Sequence, residues 1–156
     1  MKAILPNGEE IDPTYHGAGY HGTSLDPEYV FKHGFTARGS DRRLLEHVLN
    51  NSQSAFRGTT ASANVCSENA QGAVYWAEID GWVYEIVSAC WNVEKELEGR
   101  VPTPSGYGNS PHKGELEAAI PGEVRPHQIR MASKVIGKHG RLRASEWHFN
   151  KSFRKP

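Results

Sequence analysis

The chain has 156 residues, the length of one domain, enough to bury about two-thirds of its unfolded surface without staples. Eighteen Lys and Arg offset eighteen Asp and Glu, which argues against a purely electrostatic nucleic-acid binder because no global field exists to hold a polyanion. Cys66 and Cys90 are too few for a disulfide framework and lack the close pairing of a thiolate metal site, so no metal is expected and the choice is one bridge or two free thiols.

Residues 1–14, with Pro6, Asn7-Gly8 and Asp12-Pro13, read as a lead-in with at most one short strand. Ala18 to Thr23 reads as a strand. It leads into Asp26-Pro27-Glu28, a helix start in which Asp caps free N–H groups and Pro occupies a position whose N–H has no partner. Gly34 should stop that helix. A second helix is expected over Asp41 to about Asn50, with Leu44, Leu45 and Val48 at helical spacing. Phe56 to Thr60 reads as a strand, and Ser62 as the cap of a small-residue helix from Ala63 to Ala73. Trp82 to Ala89 is the clearest strand, an alternating β-branched and aromatic run. The Pro- and Gly-rich stretch from Arg100 to Lys113 reads as a long functional loop. Strands over Glu115 to Ile120, Ile129 to Ile136 and Ala144 to Phe149 follow. Short strands with helices mostly in the first half indicate an α+β domain, 1–156, rather than a doubly wound sheet.

Charge is uneven. From Arg125 to Lys155 the basic residues meet only Glu146, which allows either a local basic face or a solvated tail. The start lacks a classical signal peptide, and no apolar run approaches the roughly 20 residues needed to cross a bilayer. Three segments stand out: Gly19-Tyr20-His21-Gly22-Thr23, Phe56-Arg57-Gly58-Thr59-Thr60, and Glu115-Leu116-Glu117-Ala118-Ala119-Ile120-Pro121-Gly122. On a strand, Glu115 and Glu117 would project side by side from one face, a repulsive pair that a sheet built only for stability avoids.

In this order the segments resemble the bacterial mono-ADP-ribosyltransferase toxins and effectors, the cholera-toxin-like and pierisin-like groups, with a diphtheria-like Tyr-His-Gly-Thr first strand. The resemblance implies two small packed antiparallel β-sheets forming an NAD⁺ cleft with flanking helices, and no metal. It implies that Glu117 stabilises the oxocarbenium-like state formed when nicotinamide leaves the ribose, and that Glu115 orients or deprotonates the acceptor. Tyr20, His21, Gly22, Thr23, Arg57, Thr59 and Thr60 become the expected NAD⁺ contacts, and His112 and Lys113 would face an acceptor.

Two residues depart from the family pattern. His21 stands where cholera-like members carry Arg, leaving Arg57 or Arg38 to supply the missing cation. Gly58 stands where the first Ser of Ser-Thr-Ser braces the catalytic Glu, leaving that task to Thr59 or Thr60. The implied reaction is ADP-ribosylation of a protein, arginine first, with Thr or another side chain open. Nucleic acid is the alternative acceptor, and a binding module without turnover is the other class. The implied setting is a secreted or delivered effector acting in a target cell's cytosol, with a possible immunity or activating partner.

Overall fold

A computed structural model describes residues 1–64, 72–111, 114–138 and 141–156. The lead-in holds two short strands where at most one was expected. β1 (Ala3–Ile4) pairs antiparallel with β2 (Glu10–Ile11) across a turn at Gly8, whose φ of 87° suits a residue without Cβ. Ala3 and Leu5 are buried against Leu44, Phe56 and Trp91, so this segment belongs to the core.

β3 (Tyr15–Thr23) leads into α1 (Pro27–His33), which starts and stops where the sequence says. Asp26 accepts a hydrogen bond from the Tyr29 N–H at 3.1 Å, and Gly34 closes the helix at φ 69°. α2 (Leu44–Leu49) is shorter than expected at its start. The Asp41 backbone pairs instead with Gln53 and Ala55, and its carboxylate holds the Arg43 side chain, so the chain stays extended for three more residues.

β4 (Phe56–Thr60) matches its expected bounds. The small-residue helix does not begin at Ala63. Ser62 donates its hydroxyl to the Asn64 carbonyl, and the carbonyls of Ser62 and Ala63 accept from Ala73 and Val74, where α3 (Ala73–Ala77) begins. Residues 65–71 of the expected helix lie outside the described residues. β5 (Trp82–Asn92) runs three residues past its expected end at Ala89, and Asn92 then caps α4 (Val93–Leu97) by accepting from the Lys95 N–H. The expected loop contains a hairpin, β6 (Val101–Thr103) with β7 (Gly106–Gly108). β8 (Glu117–Pro121), β9 (Ile129–Lys138) and β10 (Arg141–Phe149) complete the chain.

The main sheet has the order β10-β9-β5-β3-β4-β8, and the end of β5 also pairs with β8 through Trp91 to Ala119. β3 and β4 share a single register pair, Tyr20 with Thr60. The sheet therefore parts there into two antiparallel halves, one of β10, β9, β5 and β3, the other of β4 and β8 with the tip of β5. The long β5 serves both halves because apolar residues cover both its faces: Tyr84, Ile86 and Cys90 in one cluster, Val83 in a second and Trp91 in a third. Burying such side chains contributes about 1.5–3 kcal/mol each. A side chain at Gly22 would run into the Ala73 carbonyl and Ala77 amide, so this glycine lets α3 lie directly on β3.

Candidate active site

The parting of the sheet opens a cleft of about 280 Å³. One wall is built on a carboxylate. Glu117 is the first residue of β8, opposite Thr60 of β4, and its Oε1 lies 2.8 Å from Nε2 of His47 on α2. His47 is 6% exposed, and its Nδ1 lies 2.7 Å from the Ser54 hydroxyl. Ser54 in turn accepts from the Phe56 N–H at 3.0 Å. A neutral imidazole satisfies this whole chain: its Nε2–H donates to Glu117, and its Nδ1 accepts the Ser54 O–H. The Phe56 ring packs edge-on against the imidazole at 5.7 Å, holding its plane.

His47 is the residue that the sequence reading missed. It sits three residues after Leu44, on the face α2 buries, so the apolar spacing of the helix carried a signal that a polar residue there must find a partner. Neither threonine expected to brace Glu117 does so. Thr59 donates its hydroxyl to the Ala118 carbonyl and Thr60 donates to the Ser62 carbonyl. Gly58 leaves room beside this contact: a Cβ there would lie 3.3 Å from Glu117 Oε1, a tight approach, and 3.8 Å from His47 Nε2.

The other wall is cationic. His21 Nδ1 lies 2.8 Å from the Gly58 carbonyl, and Arg57 Nη1 lies 3.3 Å from His21 Nε2. Burial first, then the charge of Arg57, pushes the His21 pKa down to about 4 against the pull of its backbone hydrogen bond. The ring is thus neutral at pH 7, with Nδ1–H donating to Gly58 and the Nε2 lone pair facing Arg57. Arg57 also donates to the Thr36 carbonyl at 2.6 Å and lies over the Phe35 ring at 4.7 Å. Burial and then the charge of Arg38 lower its pKa to about 10, which leaves it charged.

The family model for pertussis toxin, subunit 1, matches residues 17–79, from β3 through α3. An alanine variant of the Scabin toxin from Streptomyces scabies has a similar structure at TM-score 0.69 and 20% identity, with 99% of this chain and 91% of that chain covered. A guanine-specific ADP-ribosyltransferase matches at TM-score 0.66 and 20% identity over 93% of this chain and 82% of its own. Full-length CARDS toxin matches at TM-score 0.63 and 19% identity, over 89% of this chain and 29% of that one. No curated protein matches by sequence. The chain has the fold of the ADP-ribosyltransferase toxins, and its first half carries the match to the pertussis toxin subunit 1 family.

The α+β fold of these toxins is the fold that the sequence implied. Of the residues expected to contact NAD⁺, Tyr20, His21, Gly22, Arg57, Thr59 and Thr60 line the cleft. Thr23 does not; its hydroxyl accepts from the Leu25 N–H at the end of β3. Glu115 and Glu117 both line the cleft, but they are not neighbours on one strand face. β8 starts only at Glu117, and Leu116 between them has φ 55°, a left-handed backbone that costs a non-glycine residue about 1–2 kcal/mol. Trp76 is 55% exposed and stands at the cleft lining, with Tyr75 against it edge-on. His112, Lys113 and Cys66 lie outside the described residues, while the Cys90 thiol is buried. Among the described residues no group of three His, Cys, Asp or Glu is placed to hold a metal, and no helix is long and apolar enough to cross a membrane.

Proposed function

We propose that this domain breaks the bond between nicotinamide and ribose C1′ of NAD⁺ and passes ADP-ribose to a side chain of a target protein, with Glu117 as the central residue. The single observation supporting this is the Glu117 carboxylate held at 2.8 Å by a buried His47 in the same cleft as His21 and Arg57. As the bond lengthens, nicotinamide leaves with the electron pair and positive charge grows on the ribose. A fixed carboxylate stabilises that charge more than it stabilises the ground state. The acceptor then bonds to C1′ and loses a proton, for which Glu115 is the nearest base by sequence and shares the cleft. Tyr20, Gly22, Thr59 and Thr60 shape the nucleotide site.

Arginine is the favoured acceptor, since a carboxylate makes a two-pronged charged contact with a guanidinium. Nucleic acid is the second reading. The left-handed Leu116 removes the side-by-side carboxylate pair, and the exposed Trp76 offers a flat face on which a base could stack. Incubating labelled NAD⁺ with lysate, followed by protease or nuclease, separates the two. Hydrolysis of NAD⁺ by wild type beside Glu117→Gln tests the enzyme itself; zero rates in both would make the domain a binding module. The toxin likeness further supports a delivered effector acting inside a target cell, with an immunity partner wherever the target is a rival of the producer.

A further inference from the structure

Glu115 reaches the cleft from a turn that lies ahead of the sheet. β8 and its pairing with β4 begin only at Glu117, and the two residues flanking Glu115 both stand in the left-handed region, Gly114 at φ 96° and Leu116 at φ 55°. A glycine adopts that backbone freely and a leucine does not. The Leu116 side chain is 49% exposed, so its own packing offsets little of the strain. Such a turn persists only where its surroundings hold it.

The hold comes from α4. A carboxylate in the first turn of a helix commonly serves that helix's free N–H groups, but here Asn92 takes the task by accepting from the Lys95 N–H. Glu94 reaches outward instead, and its Oε1 accepts the N–H of Gly114, twenty residues further along the chain. α4 is a firm support, because Val93 and Leu97 are buried in the cluster that holds Phe56, Trp91 and Ala119. A second bond closes the same excursion, with Asn109 accepting from the Gly99 N–H at 2.9 Å. The chain between α4 and β8 is thus pinned twice, and the second pin falls on the residue just before Glu115.

We propose that Glu94 is a positioning residue for the transfer step: by fixing the Gly114 amide it sets the left-handed turn at Leu116 and so aims the Glu115 carboxylate at the acceptor. This rests on the reading of Glu115 as the base that takes the acceptor's proton. Glu94 lies outside the cleft lining, in a separate polar hollow of about 250 Å³ that it shares with Asn92, Asn109 and Ser110. The geometry asks of residue 94 an acceptor oxygen at glutamyl reach, not a negative charge. Cleavage of the nicotinamide bond depends on Glu117, which His47 and the β4 pairing hold independently of this tether. Cleavage and transfer should therefore respond differently when the tether is cut.

The test follows, in the whole chain, NAD⁺ hydrolysis and the passage of labelled ADP-ribose to two probes, agmatine as a free guanidine and guanosine as a nucleoside. Glu94→Ala should lower transfer to whichever probe wild type modifies by about tenfold to a hundredfold, while kcat and KM for NAD⁺ hydrolysis change by less than about threefold. Glu94→Gln keeps the reach and an acceptor oxygen and should retain most of the transfer. Glu94→Asp keeps the charge, shortens the reach by one methylene and should lose most of it. Should Glu94→Ala fail to fold, the order of the Gln and Asp variants decides. Transfer kept by Asp and lost by Gln would replace the tether with a charge effect, and transfer unchanged in Ala would remove it, the proposed reaction standing in both cases. Equal loss of transfer and hydrolysis with a lowered melting temperature would leave Glu94 a merely structural residue. If wild type modifies neither probe, hydrolysis judges the proposed cleavage and amide exchange judges the tether: a Gly114 amide slow in wild type and Gln but fast in Ala and Asp upholds it, and one exchange rate in all four overturns it.

Discussion

The two walls of the cleft manage charge in opposite ways. On the β8 wall, a negative group is held by a relay of hydrogen bonds: Glu117 meets His47, His47 meets Ser54, and Ser54 meets a backbone amide, every step at 3.0 Å or less. On the β3 and β4 wall, Arg57 lies against a neutral histidine, a backbone carbonyl and the Phe35 ring, with no anionic partner among the described residues. The first wall is finished before ligand binds and the second is not. Groups whose work is transition-state stabilisation gain from being fixed in advance, whereas groups that bind a charged substrate must keep their valence open for it.

That contrast predicts where each substitution should act. Glu117→Gln removes the charge while keeping the shape, and should lower kcat for NAD⁺ hydrolysis by about 10²–10³ with KM nearly constant. A parallel rise in KM would mean that the β8 wall binds rather than catalyses. Next in size is the acid response of the cationic wall. Because the folded pKa of His21 is about 4 against 6.5 unfolded, the unfolded chain binds the extra proton between those values. Stability should be full above about pH 6.5 and fall as pH drops toward about 4, by roughly 3 kcal/mol from this group at about 1.4 kcal/mol per unit. Thermal melts across that window, with His21→Gln as the control that flattens the slope, would measure it.

Removing the brace should matter less than removing the carboxylate. His47→Ala takes the acceptor from the Ser54 O–H and the brace from Glu117 and opens a cavity beside Phe56, and kcat should fall by about tenfold to a hundredfold. Stability should drop by about 1–3 kcal/mol in a denaturant titration, since a buried hydroxyl loses its acceptor. The smallest effect should come from Gly58→Ala. Its Cβ would sit 3.3 Å from Glu117 Oε1, so the carboxylate must yield by a few tenths of an ångström, and kcat should fall severalfold without change in KM. An unchanged kcat would show that the brace is more forgiving than its packing indicates.

Much of this was legible before any coordinates. The ends of α1 follow from Asp26, Pro27 and Gly34, β4 and the start of β5 from β-branched and aromatic runs, and Glu117, Tyr20, His21 and Arg57 from motifs that now share one cleft. These signals are local: a cap or an alternation is decided by residues a few positions apart. Local reading failed where the chain turned unexpectedly. The left-handed Leu116 delays β8, the hydrogen bonding of Asp41 delays α2, and the helix expected from Ala63 starts at Ala73 within the described residues.

The amino-acid sequence by itself determined the fold class, the ends of α1, the course of β4 and the carboxylate that stands in the cleft, because each is written in neighbouring residues. Only the tertiary structure decided what holds that carboxylate and which group carries the cation. His47 and Glu117 are seventy residues apart, and His21 and Arg57 thirty-six. They meet because strand register sets Thr60 against Glu117 and Tyr20 against Thr60, with Gly58 leaving room for the pair to pack closely. Such meetings depend on how sheets pair across the whole molecule, and no local pattern encodes them.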